Sequence, residues 1–315
     1  MQAPQDGSRI AIIEIGTNST KLIVARVAAG TGYRIVRFSK RTTRIGRGLE
    51  TAARLSTAGL ERTIEAIRTF NRGLPRSIHR FAFSTYAMRR ASTTHDVVRL
   101  EKALCCPLKI LTGKQEARFA YQSARHSLRL DRHATVLVDI GGGSTEIVLA
   151  EGGRVRATRS LPVGALHLTE RFLTSDPIAA DQLAGMVVHV RATIDKALCV
   201  MSIDRRRPGE FDLAASGGTV TTLANIIAPR GHGDGASVRS IEVSRCLDRL
   251  VRIPLRMRKR IVGLAADRAD IMPAGLVIVR ELLRATGKRV LRVNPGGVRE
   301  GVLLHIIENG LRWQR

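Results

Sequence analysis

Aromatic side chains make up only 3% of this 315-residue chain, cysteines number four, and carboxylates are outnumbered 27 to 52 by lysine and arginine. With so few aromatics, the core has to be built from Leu, Ile, Val and Ala. The same scarcity removes the stacking surface on which single-stranded nucleic acids are usually bound, so no specific nucleic-acid partner is expected. Cys105, Cys106, Cys199 and Cys246 are spaced for neither a zinc site nor a secreted disulfide framework, and read as buried or incidental thiols. Charges interrupt every apolar run before it reaches membrane-spanning length, and the polar first seven residues do not resemble a signal peptide. The expectation is a cytoplasmic protein with no membrane partner. The shortage of acids leaves a formal charge of +25, a field that favours polyanions without choosing among them. The basic residues are spread widely, with dense runs at Arg205-Arg-Arg207 and Arg256-Met-Arg-Lys-Arg260.

Against this background one stretch stands out, Val138-Asp-Ile-Gly-Gly-Gly-Ser-Thr-Glu-Ile-Val148. An apolar run ends in Asp139. Gly141, Gly142 and Gly143 follow, then Ser144, Thr145 and Glu146, and a second apolar, partly β-branched run resumes. Glycines let backbone amides approach an anion closely. The β-branched exit favours a second strand over a helix, which separates this motif from dinucleotide and P-loop fingerprints. A plain surface turn would account for the glycines, but not for their place between two apolar runs with acids at both ends.

The N-terminus repeats the plan. Residues 10–15 form a short apolar strand containing Glu14, Gly16, Thr17, Asn18 and Ser19 form a polar turn, and Lys21 opens a further strand. Two such hairpins predict an internal duplication, one copy per domain, facing across a cleft. Asn18 and Ser19 can donate to phosphate and Lys21 can neutralise it, although a surface lysine at a strand start is nearly as good a reading. A third polar glycine turn, Ser216-Gly217-Gly218-Thr219, follows another apolar strand and leads into a helix.

Between these turns, Ser56 or Thr57 is placed to cap a helix reaching Phe70, and Thr85 to cap one carrying Arg89. Arg89 reads either as a solvated helix residue or as a fork of donors for phosphate. Thr112 opens a helix with Gln115 and Glu116 in its first turn, where acids are common for dipole reasons alone. Gly164 offers another close backbone approach. A loop at Gly231–Gly235 interrupts the second half, and Asn294 to Gly301 reads as a tight turn before a final helix over residues 302–311. Arg299 and Glu300 near that helix form a structural pair or face the cleft. A boundary near residue 127 divides the chain into 1–127 and 128–315.

Taken in order, these segments resemble the exopolyphosphatase/guanosine pentaphosphate phosphohydrolase family. The likeness spans nearly the whole chain: Ile13-Glu-Ile-Gly-Thr-Asn-Ser19, Ser84-Thr-Tyr-Ala-Met-Arg89, Gly113-Lys-Gln-Glu-Ala-Arg118, Asp139-Ile-Gly-Gly-Gly-Ser-Thr-Glu146, Ser160-Leu-Pro-Val-Gly164, Ser216-Gly-Gly-Thr219, Asp267-Arg-Ala-Asp270 and Gly296-Gly-Val-Arg-Glu-Gly301. The resemblance implies an α/β, two-domain, actin-like ATPase (ribonuclease H-like) fold with an interdomain cleft, and a homodimer. It implies hydrolysis of the terminal phosphoanhydride of inorganic polyphosphate, with pppGpp as a further substrate. It places Glu116 as the base that activates water. Gly16, Thr17, Asn18, Ser19, Lys21, Arg89, Gly141, Gly142, Gly143, Ser144, Thr145, Gly217 and Gly218 would bind phosphate. Glu14, Asp139 and Glu146 would serve Mg2+, and K+ is a second ion it admits.

Three positions depart from the family pattern. Glu14 stands where Asp is usual, Gln115 replaces the first of a Glu-Glu pair, and Lys21 replaces an arginine. The shorter length also suggests a minimal two-domain form that favours short chains. The competing expectations are a non-catalytic polyphosphate or (p)ppGpp-binding regulator, motivated by Gln115 and Glu14, and a kinase of the same superfamily.

Overall fold

The computed structural model describes the chain apart from residues 1–5, 31, 53, 131–132, 204–210, 230–235 and 311–315, and apart from the side chains of residues 50 and 51. The arginine run 205–207, the glycine loop 231–235 and part of the expected 128–134 connection lie outside the described residues. Contacts divide the chain into two units: residues 1–119 with 298–315, and residues 120–297.

The first unit begins with three antiparallel strands, β1 (Arg9–Ile15), β2 (Thr20–Val27) and β3 (Tyr33–Arg41). The helices α1 (Leu49–Ala52) and α2 (Thr57–Asn71) lead to β4 (His79–Ser84). Then follow α3 (Tyr86–Ala91), α4 (Thr94–Leu104), β5 (Leu108–Ile110) and the start of α5 (Gly113–Leu128). Strands β4 and β5 add parallel to β1, giving the order β3-β2-β1-β4-β5. Apolar residues alternate toward one face of β1 and β2, where Ile13 and Leu22 meet the apolar stripe of α2 (Leu60, Ile64, Ile67). The Ser56 hydroxyl caps α2 by accepting from Gly59 N at 3.0 Å.

The second unit contains β6 (Ala134–Ile140), β7 (Thr145–Glu151), β8 (Arg154–Leu161), α6 (Ala165–Phe172), α7 (Ala180–Val200) and β9 (Phe211–Ser216). It continues with α8 (Gly218–Ile227), β10 (Ser237–Arg239), α9 (Ser240–Arg252), α10 (Leu255–Arg258), α11 (Met272–Thr286) and β11 (Val290–Val293). Its sheet runs β10-β11-β9-β6-β7-β8. Without the added β10 this is the strand order of the first unit, with the same antiparallel hairpins and parallel neighbours. The duplication expected from the two hairpins is therefore present in the topology. Helix α11 is buried on nearly every face, as its apolar composition demands, and Pro273 sits in its first turn. It begins at Met272, earlier than the sequence pattern suggests, because proline is tolerated there.

Two expectations change. The last helix, α12, spans Val298–Asn309, so Arg299, Glu300 and Gly301 are helical rather than part of a turn. It also belongs to the first unit, not to a domain running 128–315. Gly301 explains the docking: a Cβ there would lie 1.8 Å from the Phe119 carbonyl oxygen, so only glycine lets α12 approach α5 this closely. His305, one turn on, meets the Phe119 ring edge-on at 5.4 Å. Part of the basic run at 256–260 is buried. Arg258 is buried, and its guanidinium donates to Asp176 at 2.6 Å.

Candidate functional site

In the first unit the turn between β1 and β2 closes with Gly16 N–H donating to Ser19 O at 3.1 Å. The carbonyls of Thr17 and Asn18 accept from Gly46 N and Arg44 N, both at 3.0 Å. Because a trans peptide directs its C=O and N–H oppositely, these ties turn the N–H groups of Asn18 and Ser19 to the other side. Gly46 is needed for the approach, since a Cβ there would meet Thr17 Cγ2 at 2.3 Å. The Asn18 side chain is only 5% exposed, and neither atom of its amide has a hydrogen-bond partner among the described residues. A buried amide in that condition costs about 1–3 kcal/mol, which an oxyanion would offset.

Glu14 on β1 faces Lys21 on β2 in register, with Lys21 Nζ 3.1 Å from Oε1. Arg299 of α12 approaches the other oxygen at 3.4 Å and lies over the Phe38 ring. Burial is the largest single influence on the Glu14 carboxyl and opposes its ionisation. The charges of Lys21 and Arg299 outweigh it, holding the group below the usual carboxylate range. A depressed folded-state pKa contributes stability above the unfolded value of 4.5 that is lost as pH falls through the folded one. Glu14→Gln is therefore expected to be less stable than wild type at neutral pH, with the gap closing as acid is added. Denaturant midpoints at pH 7 and below pH 4 check this, and a gap that is constant with pH would refute it.

Glu116 sits in the first turn of α5 and is 5% exposed. Arg89 at the end of α3 reaches it, with Nη1 3.3 Å from Oε2 and 2.6 Å from the Leu111 carbonyl. Thr85 stands at the N-cap of α3 but makes no side-chain cap bond, contrary to expectation. At α5 the expectation holds: Gln115 N donates to Thr112 Oγ1 at 3.2 Å, and the Gln115 side chain accepts from Thr112 N at 2.9 Å. This reciprocal capping box takes Gln as readily as Glu. Gln115 thus ends as a helix cap, a role its side-chain oxygen fills as a glutamate carboxylate would.

The second unit repeats the turn. Gly141 N–H donates to Ser144 O at 2.9 Å, and the carbonyls of Gly141 and Gly142 accept from the first amides of α6, from Ala165 N at 3.0 Å and Leu166 N at 2.9 Å. By the same peptide geometry, the N–H groups of Gly142 and Gly143 point away from α6. Gly164 makes the docking possible, because a Cβ there would lie 2.5 Å from the backbone of Gly142 and Gly143. Gly164→Ala is expected to cost about 1–3 kcal/mol by overpacking and to displace the glycine turn. An unchanged melting temperature would contradict this. The glycines at 141, 142 and 143 are not in the left-handed region, and a Cβ at Gly141 would lie 3.0 Å from Ser144 O. Thr145 requires correction as a phosphate ligand: its hydroxyl is fully buried and donates to the Val163 carbonyl at 2.5 Å.

Asp139 and Glu146 are cross-strand partners, both buried, with a carboxylate oxygen of each within 4.8 Å of the other. Where the first hairpin opposes an acid to a lysine, the second opposes two acids. Ser216 donates to Asp139 Oδ1 at 2.5 Å and Ser160 to Glu146 Oε1 at 2.7 Å, which orients both groups. Gly217 has φ 99° and would strike the Ile140 carbonyl with any Cβ, at 2.4 Å. The guanidinium of buried Arg268 fills the space beside Gly218, where a Cβ would come within 2.5 Å of its Nη1. Sequence reading assigned no role to Ser160, Ser216 or Arg268. All three stand within motifs already singled out, which was the available signal.

A duplicated α/β fold with a glycine turn in each copy, one beside an acid–lysine pair and the other beside two facing acids, defines the class of protein. The chain belongs to the Ppx/GppA phosphatase family, whose model matches residues 23–309. Its fold is the α/β fold typical of that family, related to the actin-like ATPase fold. The chain is 26% identical over 309 residues to exopolyphosphatase 1 of Mycobacterium tuberculosis, covering 96% of this chain and 89% of that protein. It is 27% identical over 323 residues to exopolyphosphatase 2 of the same species, covering 95% and 98%. A Ppx/GppA family crystal structure from Aquifex aeolicus matches with TM-score 0.78 at 28% identity, covering 96% of this chain and 99% of that one. Family membership supports hydrolase activity in general. No helix among the described residues is long and apolar enough to cross a membrane.

Proposed function

We propose that this protein is an exopolyphosphatase that transfers the terminal phosphoryl group of inorganic polyphosphate to water, releasing orthophosphate, and that it accepts pppGpp as well. The observation that carries the reading is the buried carboxylate of Glu116 held 3.3 Å from the Arg89 guanidinium. A carboxylate so placed can orient and accept a proton from water, while the neighbouring cation can neutralise a phosphoryl oxygen. In this reading Glu116 orients and deprotonates the attacking water. In each unit the turned-out amides of the glycine turn, Asn18 and Ser19 in the first and Gly142 and Gly143 in the second, are donors suited to non-bridging phosphate oxygens, and the Asn18 side chain is a further donor. Catalysis comes from positioning and charge neutralisation, as phosphoryl transfer demands.

Asp139 and Glu146 fit a hard divalent cation, because two buried carboxylates facing in register otherwise repel, and oxygen donors suit magnesium. When bound, magnesium would supply charge neutralisation to the phosphate oxygens. Glu14 is given a different part from the one the family resemblance implies. Already paired with Lys21 and Arg299, it holds those cations in place and is not asked to bind metal directly.

The test is orthophosphate release from defined polyphosphates and from pppGpp with magnesium and potassium present. Release from polyphosphate supports the proposal, and no release from either substrate ends it. The regulator reading loses one of its two motives, since Gln115 is accounted for as a cap.

A further inference from the structure

The second unit carries a concavity of about 270 Å³ away from its glycine turns, bounded by α9, the end of α11 and the connection to β11. Its polar lining is Ser240, Ser244, Arg280, Arg284 and Lys288. Ser240 and Ser244 are four residues apart on α9 and so share one helix face. Gly287 has φ 68°, which ends α11 in the left-handed region and returns the chain so that Lys288 borders the same hollow. Ser240 N–H donates to the Arg289 carbonyl at 2.9 Å, tying the start of α9 to this connection.

Charge at the pocket is out of balance. Glu281 is almost wholly buried and takes Arg191 at 2.9 Å, Arg284 at 2.7 Å and Arg280 at 3.4 Å. Asp195 takes the other end of Arg284 at 2.5 Å. Four cations, Lys288 included, therefore stand against two carboxylates. The next acids are committed elsewhere: Glu242 to Arg239 at 2.8 Å and Asp212 to Arg292 at 3.8 Å. Lys288 donates to the Phe211 carbonyl and lies over that ring, and burial lowers its pKa despite the nearby charge of Asp212. Hydroxyl donors combined with guanidinium and ammonium groups around one hollow are the chemistry of phosphate recognition.

We propose that this pocket binds a phosphate-type oxyanion, either free orthophosphate or the end of a phosphate chain, with Ser240, Ser244, Arg280 and Lys288 as its donors. Its lining includes neither Asp139 nor Glu146, and the proposal does not depend on the chain being a hydrolase.

The experiment is amide NMR of the full chain carrying Glu116→Gln, which is expected to slow turnover, titrated with orthophosphate and separately with tripolyphosphate in chloride buffer. Saturable shifts at the Ser240, Ser244 and Gly287 amides are expected with at least one of the two. Orthophosphate alone would assign the site to free phosphate, and tripolyphosphate alone to a chain end. Ser244→Asp, which places a carboxylate in the hollow, and Lys288→Gln are each expected to weaken the titration about tenfold or more, as loss of a charge-assisted bond implies. Arg89→Ala should leave it unchanged. No shift at these amides with either anion, or equal titration in both pocket variants, overturns the proposal.

Discussion

Glu116→Gln is expected to lower phosphate release by about 10²–10⁴-fold, the range for removing a positioned general base. The substitution keeps the shape of the side chain and an oxygen able to accept from Arg89 Nη1, which lies 3.3 Å from the native carboxylate. The residue is in the first turn of α5, whose start is held by Thr112 and Gln115, so the helix does not depend on it. The loss should therefore fall on kcat, with KM little changed and circular dichroism unaltered. Arg89→Ala, by contrast, removes a group assigned to the substrate and should raise KM as well. A Glu116→Gln protein that releases phosphate at the wild-type rate would remove Glu116 as the base, whereas tight ligand binding by a wild type that releases no phosphate would favour the regulator.

Asp139→Asn is expected to abolish stabilisation by magnesium. In the wild type, two buried carboxylates oppose each other across β6 and β7, so the proposed divalent cation would bind the folded state and not the unfolded chain. At a hundredfold excess over its dissociation constant, such a ligand adds about 2.7 kcal/mol, or a rise in Tm of roughly 5–10 °C for a unit of this size. With Asp139 neutral, the like-charge repulsion is relieved and the metal-free protein should be no less stable, while the response to magnesium disappears. Differential scanning calorimetry with and without magnesium reads this without reference to activity. A wild-type Tm indifferent to magnesium would argue against a metal at Asp139 and Glu146.

The hairpin plan was legible from sequence because it is local. Apolar runs, a glycine turn and a β-branched exit are local signals over a few residues, and they placed β1, β2, β6 and β7 and both turns where the structure has them. The cap at Thr112 and the first-turn position of Glu116 were legible for the same reason. What the three-dimensional arrangement alone decided is where polar groups find partners far along the chain. Thr145 looked like a ligand beside a glycine turn, yet its hydroxyl is committed to Val163. Glu14 looked like a metal carboxylate, yet Arg299, near the other end of the sequence, lies 3.4 Å away. The last helix looked like the close of the second half, yet the missing Cβ of Gly301 seats it against Phe119 in the first unit. Backbone conformation depends on neighbours in sequence, whereas the direction of a hydroxyl, the neutralisation of a buried charge and the docking of a helix depend on neighbours in space.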